Sequence, residues 1–372
     1  RIAAGSRKKP DPHYHYSLTQ FSVKEGLRRH GDFAKKATVS EFVNLFQKKK
    51  ALVPVLKKNL TRGQLRKVIR SSMFLKEKFD AFGNFEKLKG RLVGDGRMQD
   101  RNLYQNLKSP TGKLESIILC LLLACKRKQH LGKIDVGGAY LNAKIGEGDE
   151  VFMEIQRNIA DILIEAMPEL EGYVTEKGTI IVQIKKALYG LVQSAALWYD
   201  ELSTFLKSQG FKPNPLDPCV MNKVVGARMI TIILYVDDIL IMSEHKEDIG
   251  RLIKVLTDKW EEVTVETGKE FTYLGTGVTV RDDHISLSMG KYIDDILASY
   301  FGAEGAKTSI RTYSTPAAGD LFEEPEGELL TESMKKRFHT TVAMLLYLSK
   351  RTRIDIQLAR AKNVQRGYLV SL

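Results

Sequence analysis

The chain has 372 residues, 43% hydrophobic and 28% charged, which is more apolar material than one core usually organises, so two or three subdomains are expected. Lys and Arg number 58 against 45 Asp and Glu, a net +13 that favours a polyanionic partner. The 3 cysteines, none in a CxxC pair or at finger spacing to a histidine, exclude a disulfide framework and a zinc finger; the longest apolar run, Ile117 to Cys125, falls short of the roughly 20 residues a membrane helix needs.

The charge is unevenly placed. From Arg1 to Lys108 there are 26 basic and 9 acidic residues, a net +17, whereas Ser109 to Leu372 holds 32 basic and 36 acidic residues, a net −4. If nucleic acid binds, the N-terminal third should supply much of the phosphate contact, and the remainder can house acidic chemistry. The opening RIAAGSRKKP lacks an apolar signal core and an initiating Met, so the chain reads as an excerpt of a longer, intracellular product.

Residues 1 to about 50 are polar and basic. His13 and His15 read as solvent-facing in an arm, and Val39, Phe42, Val43 and Phe46 then mark an amphipathic helix. Between Val68 and Val93, Met73, Leu75 and Phe79, then Asp80, Gly83 and Asn84, then Phe85, Leu88 and Leu92 predict a β-hairpin, made basic by Lys76, Lys78, Lys87, Lys89 and Arg91. SPTGKLESIILCLLLACKRK has a polar start suited to capping, an apolar body and a cationic end at Lys126, Arg127 and Lys128, which predicts a buried helix. LGKID follows as a short strand ending at Asp135. The acidic stretch 146–178 shows no pattern; TIIVQI then predicts a strand, and Ala195, Ala196, Trp198, Tyr199, Leu202 and Phe205 a helix with Trp198 and Tyr199 in the core.

The strongest pattern is MITIILYVDDILIMS, two apolar runs flanking only Asp237 and Asp238, which predicts a buried hairpin with two carboxylates at its tip. Ile249 to Trp260 has a helical period, and FTYLGTGVTVRDDHISLSM predicts a hairpin turning at Arg281 to His284. Beyond Lys291, helices are expected around Tyr292 to Phe301 and Thr340 to Leu348, separated by the loop STPAAGDLFEEPEGE, whose acidic run Glu323 to Glu328 reads as solvated. There is no internal repeat.

Adjacent carboxylates on an apolar hairpin are costly unless a cation compensates, because burial and a like-charged neighbour both oppose ionisation. A divalent metal removes that objection, and a third carboxylate on a neighbouring strand, Asp135, would complete a two-metal phosphoryl-transfer site. The small residues after it, Val136 to Ala139, can offer backbone amides to a triphosphate. A solvated Asp-Asp turn is the alternative at this point.

The blocks KIDVGGAYLNAKI, KKALYGLVQSAALWY, ILYVDDILIMS, YLGTGVTV and LLYLSKRTRIDIQLA, in this order, resemble the reverse transcriptase of copia-type (Pseudoviridae, Ty1/copia) LTR retrotransposons. With FLKEKFDAFG and KGRLVGDG as fingers blocks, the resemblance runs from about Met73 to about Ala361. It implies an α+β right-hand polymerase fold of fingers, palm and thumb, in which Asp135, Asp237 and Asp238 are the catalytic triad holding two Mg²⁺ (or Mn²⁺) ions and the carbonyl of Val136 adds a ligand. Lys89, Arg91, Gly138, Ala139, Tyr189 and Gly190 would bind the nucleotide, with Tyr140 as a steric gate against a ribose 2′-hydroxyl; a packed core aromatic is the alternative for Tyr140. Tyr235, Gln193, Leu274 and Gly275 match template and primer contacts. Lys350, Arg351 and Arg353 either follow the duplex backbone or form a solvated helix end.

The sequence departs from the family pattern at Val192, where the family commonly has Lys, and at Ala195 and Ile354, where it commonly has Pro; Val265 stands where a lysine often precedes the primer-grip block, with Lys269 close by, so the resemblance assigns no proton donor to the leaving pyrophosphate. The expected organisation is a basic N-terminal extension over residues 1–65, fingers and palm over 66–290 with the palm core from about 130, and a thumb or connection over 291–372. The resemblance implies RNA template, DNA primer and dNTPs as partners, no membrane, RNase H and integrase regions elsewhere in a polyprotein, a dimer as one permitted assembly, and a cytoplasmic particle. An RNA-dependent RNA polymerase and a decayed or co-opted element that only binds nucleic acid are the rival readings. Deleting residues 1 to about 65 is expected to weaken template binding and flatten its salt dependence; an unchanged slope would mean that this charge is merely solvated.

Overall fold

Helix caps and strict side-chain alternation shape the first half of the chain in this computed structural model, which describes residues 20–79, 84–104, 107–301, 315 and 331–359. Strand β1 (Gln20–Ser22) ends where the Ser22 side chain accepts from the Glu25 N–H and caps α1 (Val23–His30), which α2 (Asp32–Val43) follows. A short β2 (Leu52–Pro54) precedes α3 (Arg62–Arg66), which opens on a capping box between Thr61 and Gln64. The expected basic hairpin is β3 (Ile69–Phe79) and β4 (Phe85–Gly94); its turn at Asp80 to Gly83 lies outside the described residues. Alternate residues Ile69, Ser71, Met73 and Leu75 point inward, which puts Lys76, Lys78, Lys87, Lys89 and Arg91 on the exposed face.

The basic segment after Gln20 is not a loose arm. Phe21, Val23, Phe42, Leu45 and Leu52 share one core with Met73, Leu75, Leu88 and Leu92, and β1 pairs with β3. Deleting residues 1 to about 65 would strip that core, so the salt dependence of binding is better probed by neutralising the exposed lysines. His13 and His15 lie outside the described residues.

Helix α4 (Leu114–Lys126) forms where expected but is buried on one side alone: Ile117, Leu121 and Ala124 are covered, whereas Leu119, Leu122 and Leu123 are exposed. Its N-cap is Lys113, which makes no side-chain cap. Then come β5 (His130–Val136), β6 (Val151–Ile155), α5 (Arg157–Ala166), β7 (Ile180–Ile184) and α6 (Ser194–Ser208). The acidic stretch 146–178 thus holds a strand and a helix: β6 is buried on both faces, so it has no alternation, and the acidic residues around α5 mask its apolar face of Ile159, Ala160 and Leu163. A sheet ordered β1-β3-β6-β7-β2, with β4 beside β3, carries this core.

Strands β8 (Lys212–Pro213), β9 (Val220–Val225), β10 (Arg228–Tyr235) and β11 (Asp238–Ser243), helix α7 (Lys246–Lys259) and β12 (Val263–Thr267) complete the unit spanning residues 19–268. The second sheet has the order β12-β5-β11-β10-β9-β8, antiparallel throughout. Ile134, Val136, Ile232, Leu234, Ile239 and Ile241 face α6 and α7 in one core with Trp198, Leu202, Leu252 and Trp260. By the two-residue period, Lys133, Asp135, Tyr235 and Asp238 leave the opposite face.

The described residues from Lys269 onward form a second unit. It contains β13 (Glu270–Tyr273), β14 (Thr276–Val280), β15 (Ile285–Ser288), α8 (Gly290–Phe301) and α9 (Glu332–Ser349). The sequence hairpin turning at 281–284 is β14 and β15; β13 adds a third strand. Met289, Ile296 and Leu348 form its small core. The loop and acidic run at 314–328 fall outside the described residues, apart from Thr315. Among the described residues the secondary structure is the expected α+β mixture, and no helix is long and apolar enough to cross a membrane.

Two backbones meet closely at the end of β4. Gly94 N–H donates to Tyr189 O at 2.8 Å and Gly96 N–H to Gly190 O at 3.1 Å, while a Cβ built on Gly190 (φ +89°) would fall 2.1 Å from Gly94 O. Gly190→Ala should therefore cost about 3 kcal/mol or more and lower the urea midpoint of the transition that melts this unit. Gly63→Ala, with no neighbour nearer than 3.9 Å, should leave that midpoint in place.

Candidate active site

The β10–β11 register pairs Tyr235 with Asp238 and leaves Val236 and Asp237 as a two-residue turn. Val236 has φ +59°, a left-handed conformation that a β-branched residue adopts only under strain. Its carbonyl accepts from Trp198 Nε1 at 2.7 Å, and the Asp237 carbonyl accepts from the Val136 N–H at 3.1 Å. Trp198, expected only as core, thus also anchors the turn.

Asp135 on β5 lies directly across from Asp238 on β11. Asp135, Asp237 and Asp238 each offer a carboxylate oxygen, and these atoms lie within 4.8 Å of one another. The oxygen-only donor set, half-buried and triply acidic, suits a hard divalent cation. Burial, with Asp135 adding like charge, holds the Asp237 carboxyl above its ordinary range. Burial pushes Asp238 up to about 6, Lys133 opposing and Asp237 and Asp135 reinforcing. Val136 is wholly buried, its backbone continuous with β5.

Gly138 takes φ +58° and opens the 3₁₀ turn Ala139–Asn142, where Ala139 is buried and Tyr140 half-buried. The Tyr140 ring meets that of Tyr189 edge-on at 4.8 Å, and the Arg91 guanidinium lies 4.3 Å over Tyr189. Burial and the Asp237 charge raise the Tyr140 hydroxyl pKa, which Arg91 counters. A cavity of about 440 Å³ beside this stack is lined by Lys48, Lys87, Lys89, Arg91 and Gly138, with Glu41 at its wall. Burial raises the Glu41 pKa. Lys48 had no place in the sequence reading; the run Lys48 to Lys50 closing an amphipathic helix was the available signal.

Other expected site residues fall differently. Tyr235 is half-buried at the end of β10. Gln193 is 4% exposed, its Oε1 accepting from Gln99 Nε2 at 3.1 Å, so it braces the loop that carries Tyr189 and Gly190 from within. Leu274 and Gly275 belong to the second unit, as a two-residue turn with both φ positive; the Leu274 carbonyl accepts from Tyr347 Oη at 2.9 Å. Val265 pairs with Ile134 and packs on the sheet core, while Lys269 is ion-paired with Asp282 at 2.9 Å in the second unit. Arg351 lies 3.6 Å over the Tyr347 ring and Arg353 pairs with Asp355 at 2.7 Å.

A family model described as reverse transcriptase (RNA-dependent DNA polymerase) matches residues 61–312. The retrovirus-related Pol polyprotein from transposon TNT 1-94 of Nicotiana tabacum is 27% identical over 303 residues, 78% of this chain and 21% of the relative. The Ty1-BL Gag-Pol polyprotein of Saccharomyces cerevisiae is 24% identical over 288 residues, 72% of this chain and 15% of the relative. The chain therefore spans about a fifth or less of these relatives. A solved foamy viral protease–reverse transcriptase in complex with double-stranded DNA covers 90% of this chain, and 48% of its own, at a TM-score of 0.42 and 15% identity.

The raised Asp238 pKa makes a stability prediction. A carboxyl with a folded pKa above its ordinary 3.8 costs nothing while protonated and imposes its full cost above about pH 6, roughly 3 kcal/mol for this shift. In EDTA, Asp238→Asn should thus melt higher than the parent at pH 7.5, and the advantage should shrink toward zero as pH falls from 6 to 4. Thermal melts of both proteins across that range check it.

Proposed function

The chain belongs to the reverse transcriptase (RNA-dependent DNA polymerase) family, and from that premise we propose that it is the polymerase segment of a copia-type Pol polyprotein, transferring nucleotides from dNTPs to a primer 3′-hydroxyl on an RNA and then a DNA template. The observation that carries this reading is the set of three carboxylates whose oxygens lie within 4.8 Å of one another on paired strands and their turn. Asp135, Asp237 and Asp238 would hold two Mg²⁺ ions, with the Val136 carbonyl as a further ligand. When bound, the ions neutralise triphosphate charge and favour ionisation of the primer hydroxyl.

The chain's own groups supply the positioning. Lys89, Arg91 and Lys48 border the cavity beside Gly138, where cations and backbone amides suit a triphosphate. Tyr140, backed edge-on by Tyr189, blocks the space of a ribose 2′-hydroxyl. Lys76 opposes Lys89 and Lys78 opposes Lys87 across the hairpin, a self-repelling face that a phosphate backbone would relieve. Tyr235 would meet the primer terminus, and Leu274 and Gly275 would contact the primer strand. RNase H and integrase regions elsewhere in the polyprotein, a dimer and a cytoplasmic particle complete the proposal.

Primer extension on an RNA template with Mg²⁺ tests it. The parent should extend with dNTPs, and Asp237→Asn should lose roughly a thousandfold in rate. Tyr140→Ala should lower the preference for dNTPs over NTPs by about tenfold or more. Equal use of both by the parent would sink the gate assignment, and tight template binding without extension would leave a binding module. Because the proton and the metal compete for Asp238, whose carboxyl is raised to about 6 in the metal-free protein, the rate at limiting Mg²⁺ should fall as the pH is lowered, and the fall should move to lower pH as Mg²⁺ is raised.

A further inference from the structure

Lys133 precedes Asp135 by two residues on β5, so its side chain leaves the sheet on the same face as that carboxylate. Its Nζ lies 3.8 Å from Asp238 Oδ1 and donates to Glu266 Oε1 at 3.1 Å. The strand register builds this arrangement: Glu266 on β12 stands directly across from Lys133, as Asp238 on β11 stands across from Asp135. The Lys133 side chain is 17% exposed and that of Glu266 48%, so the ammonium is shared between the metal-site carboxylate and a wetter one. A charge shielded in this way acts on its neighbours more strongly than a surface lysine does.

Resting on the metal reading of the triad, we infer that Lys133 is a positioning residue that competes with the metal for Asp238, and that Glu266 sets the strength of the competition by drawing the ammonium away. Before metal arrives, Lys133 holds the Asp238 carboxylate among its like-charged neighbours. Once metal is bound, the same ammonium repels it and keeps the hold weak. A weak hold suits an ion that is bound partly through substrate phosphates and leaves with the product.

The device makes two substitutions act with opposite sign. Lys133→Met keeps the aliphatic stem and removes the repulsion, so metal should bind more tightly. Glu266→Gln leaves the ammonium to Asp238, so metal should bind more weakly. The full chain, without nucleic acid, is titrated with Mn²⁺, and free Mn²⁺ is read by electron paramagnetic resonance. Affinity should rise about fivefold in Lys133→Met, fall by a similar factor in Glu266→Gln and stay within about twofold in Lys133→Arg, which keeps the charge. Lys133→Gln serves as the uncharged variant if circular dichroism shows Lys133→Met misfolded. A loss of affinity in the uncharged variants would assign Lys133 a purely structural role and overturn the inference. So would shifts of one sign, or no shift beyond twofold, in both Lys133→Met and Glu266→Gln. Equal Mn²⁺ binding by the parent and Asp238→Asn would instead overturn the metal reading itself.

Discussion

Three carboxylates held within 4.8 Å of one another and half-buried are the constraint on which the rest of this structure depends. Such a cluster is unstable alone, since each ionised acid raises the cost of ionising the next. The fold meets that cost with rigidity. Asp135 and Asp238 are cross-strand partners on two interior strands of a six-stranded antiparallel sheet, each of which has a paired strand on both sides. A hairpin of two strands could not hold the acids against their repulsion; interior strands of a sheet with α6 and α7 packed beneath can.

The turn that carries Asp237 adds strain to repulsion. A valine at φ +59° costs on the order of 1–3 kcal/mol. A buried indole N–H on the Val236 carbonyl and a strand amide on the Asp237 carbonyl offset part of this, at about 1 kcal/mol each. Trp198 is fixed in turn by Trp260, whose ring meets it at 5.2 Å. The side with the basic cavity is braced by a different device, the passage of the Tyr189–Gly190 backbone against Gly94 and Gly96. That contact ties the basic hairpin to the tyrosine pair, so Arg91 reaches Tyr189 from a strand rather than from a mobile loop.

These features were unequally legible in the sequence. The hairpin around Asp237 and Asp238 was readable because long β-branched runs bracket two acids, and the basic hairpin because its alternation is regular. Glycines in KGRLVGDG and LYGL could be matched to a family, but their reason is the approach of two chain segments about a hundred residues apart, which no local pattern reports. Strand β12 was missed because it is short and half-exposed, and with it Glu266, whose partner Lys133 is set by register alone. The departures at Val265 and Ala195 gain a physical meaning only in the fold. Val265 packs, half-buried, against the sheet core, and Ala195 sits in the first turn of α6, where the family's proline would lose no helical hydrogen bond and alanine is equally at home.

The division of charge along the chain follows from the same constraint. Cations placed among the three carboxylates would satisfy them permanently and leave no role for a metal, so the basic residues have to stand elsewhere. They are gathered on the outward face of β3 and β4, where Lys76 against Lys89 and Lys78 against Lys87 remain mutually repulsive. Burial and those neighbours depress the Lys78 pKa. One lysine breaks the separation. Lys133 sits beside Asp238, and a glutamate on the adjoining strand moderates it. The segregation is therefore neither complete nor accidental: cations that would meet a polyanion are kept on a hairpin, and the lysine paired with Asp238 is balanced by its own carboxylate.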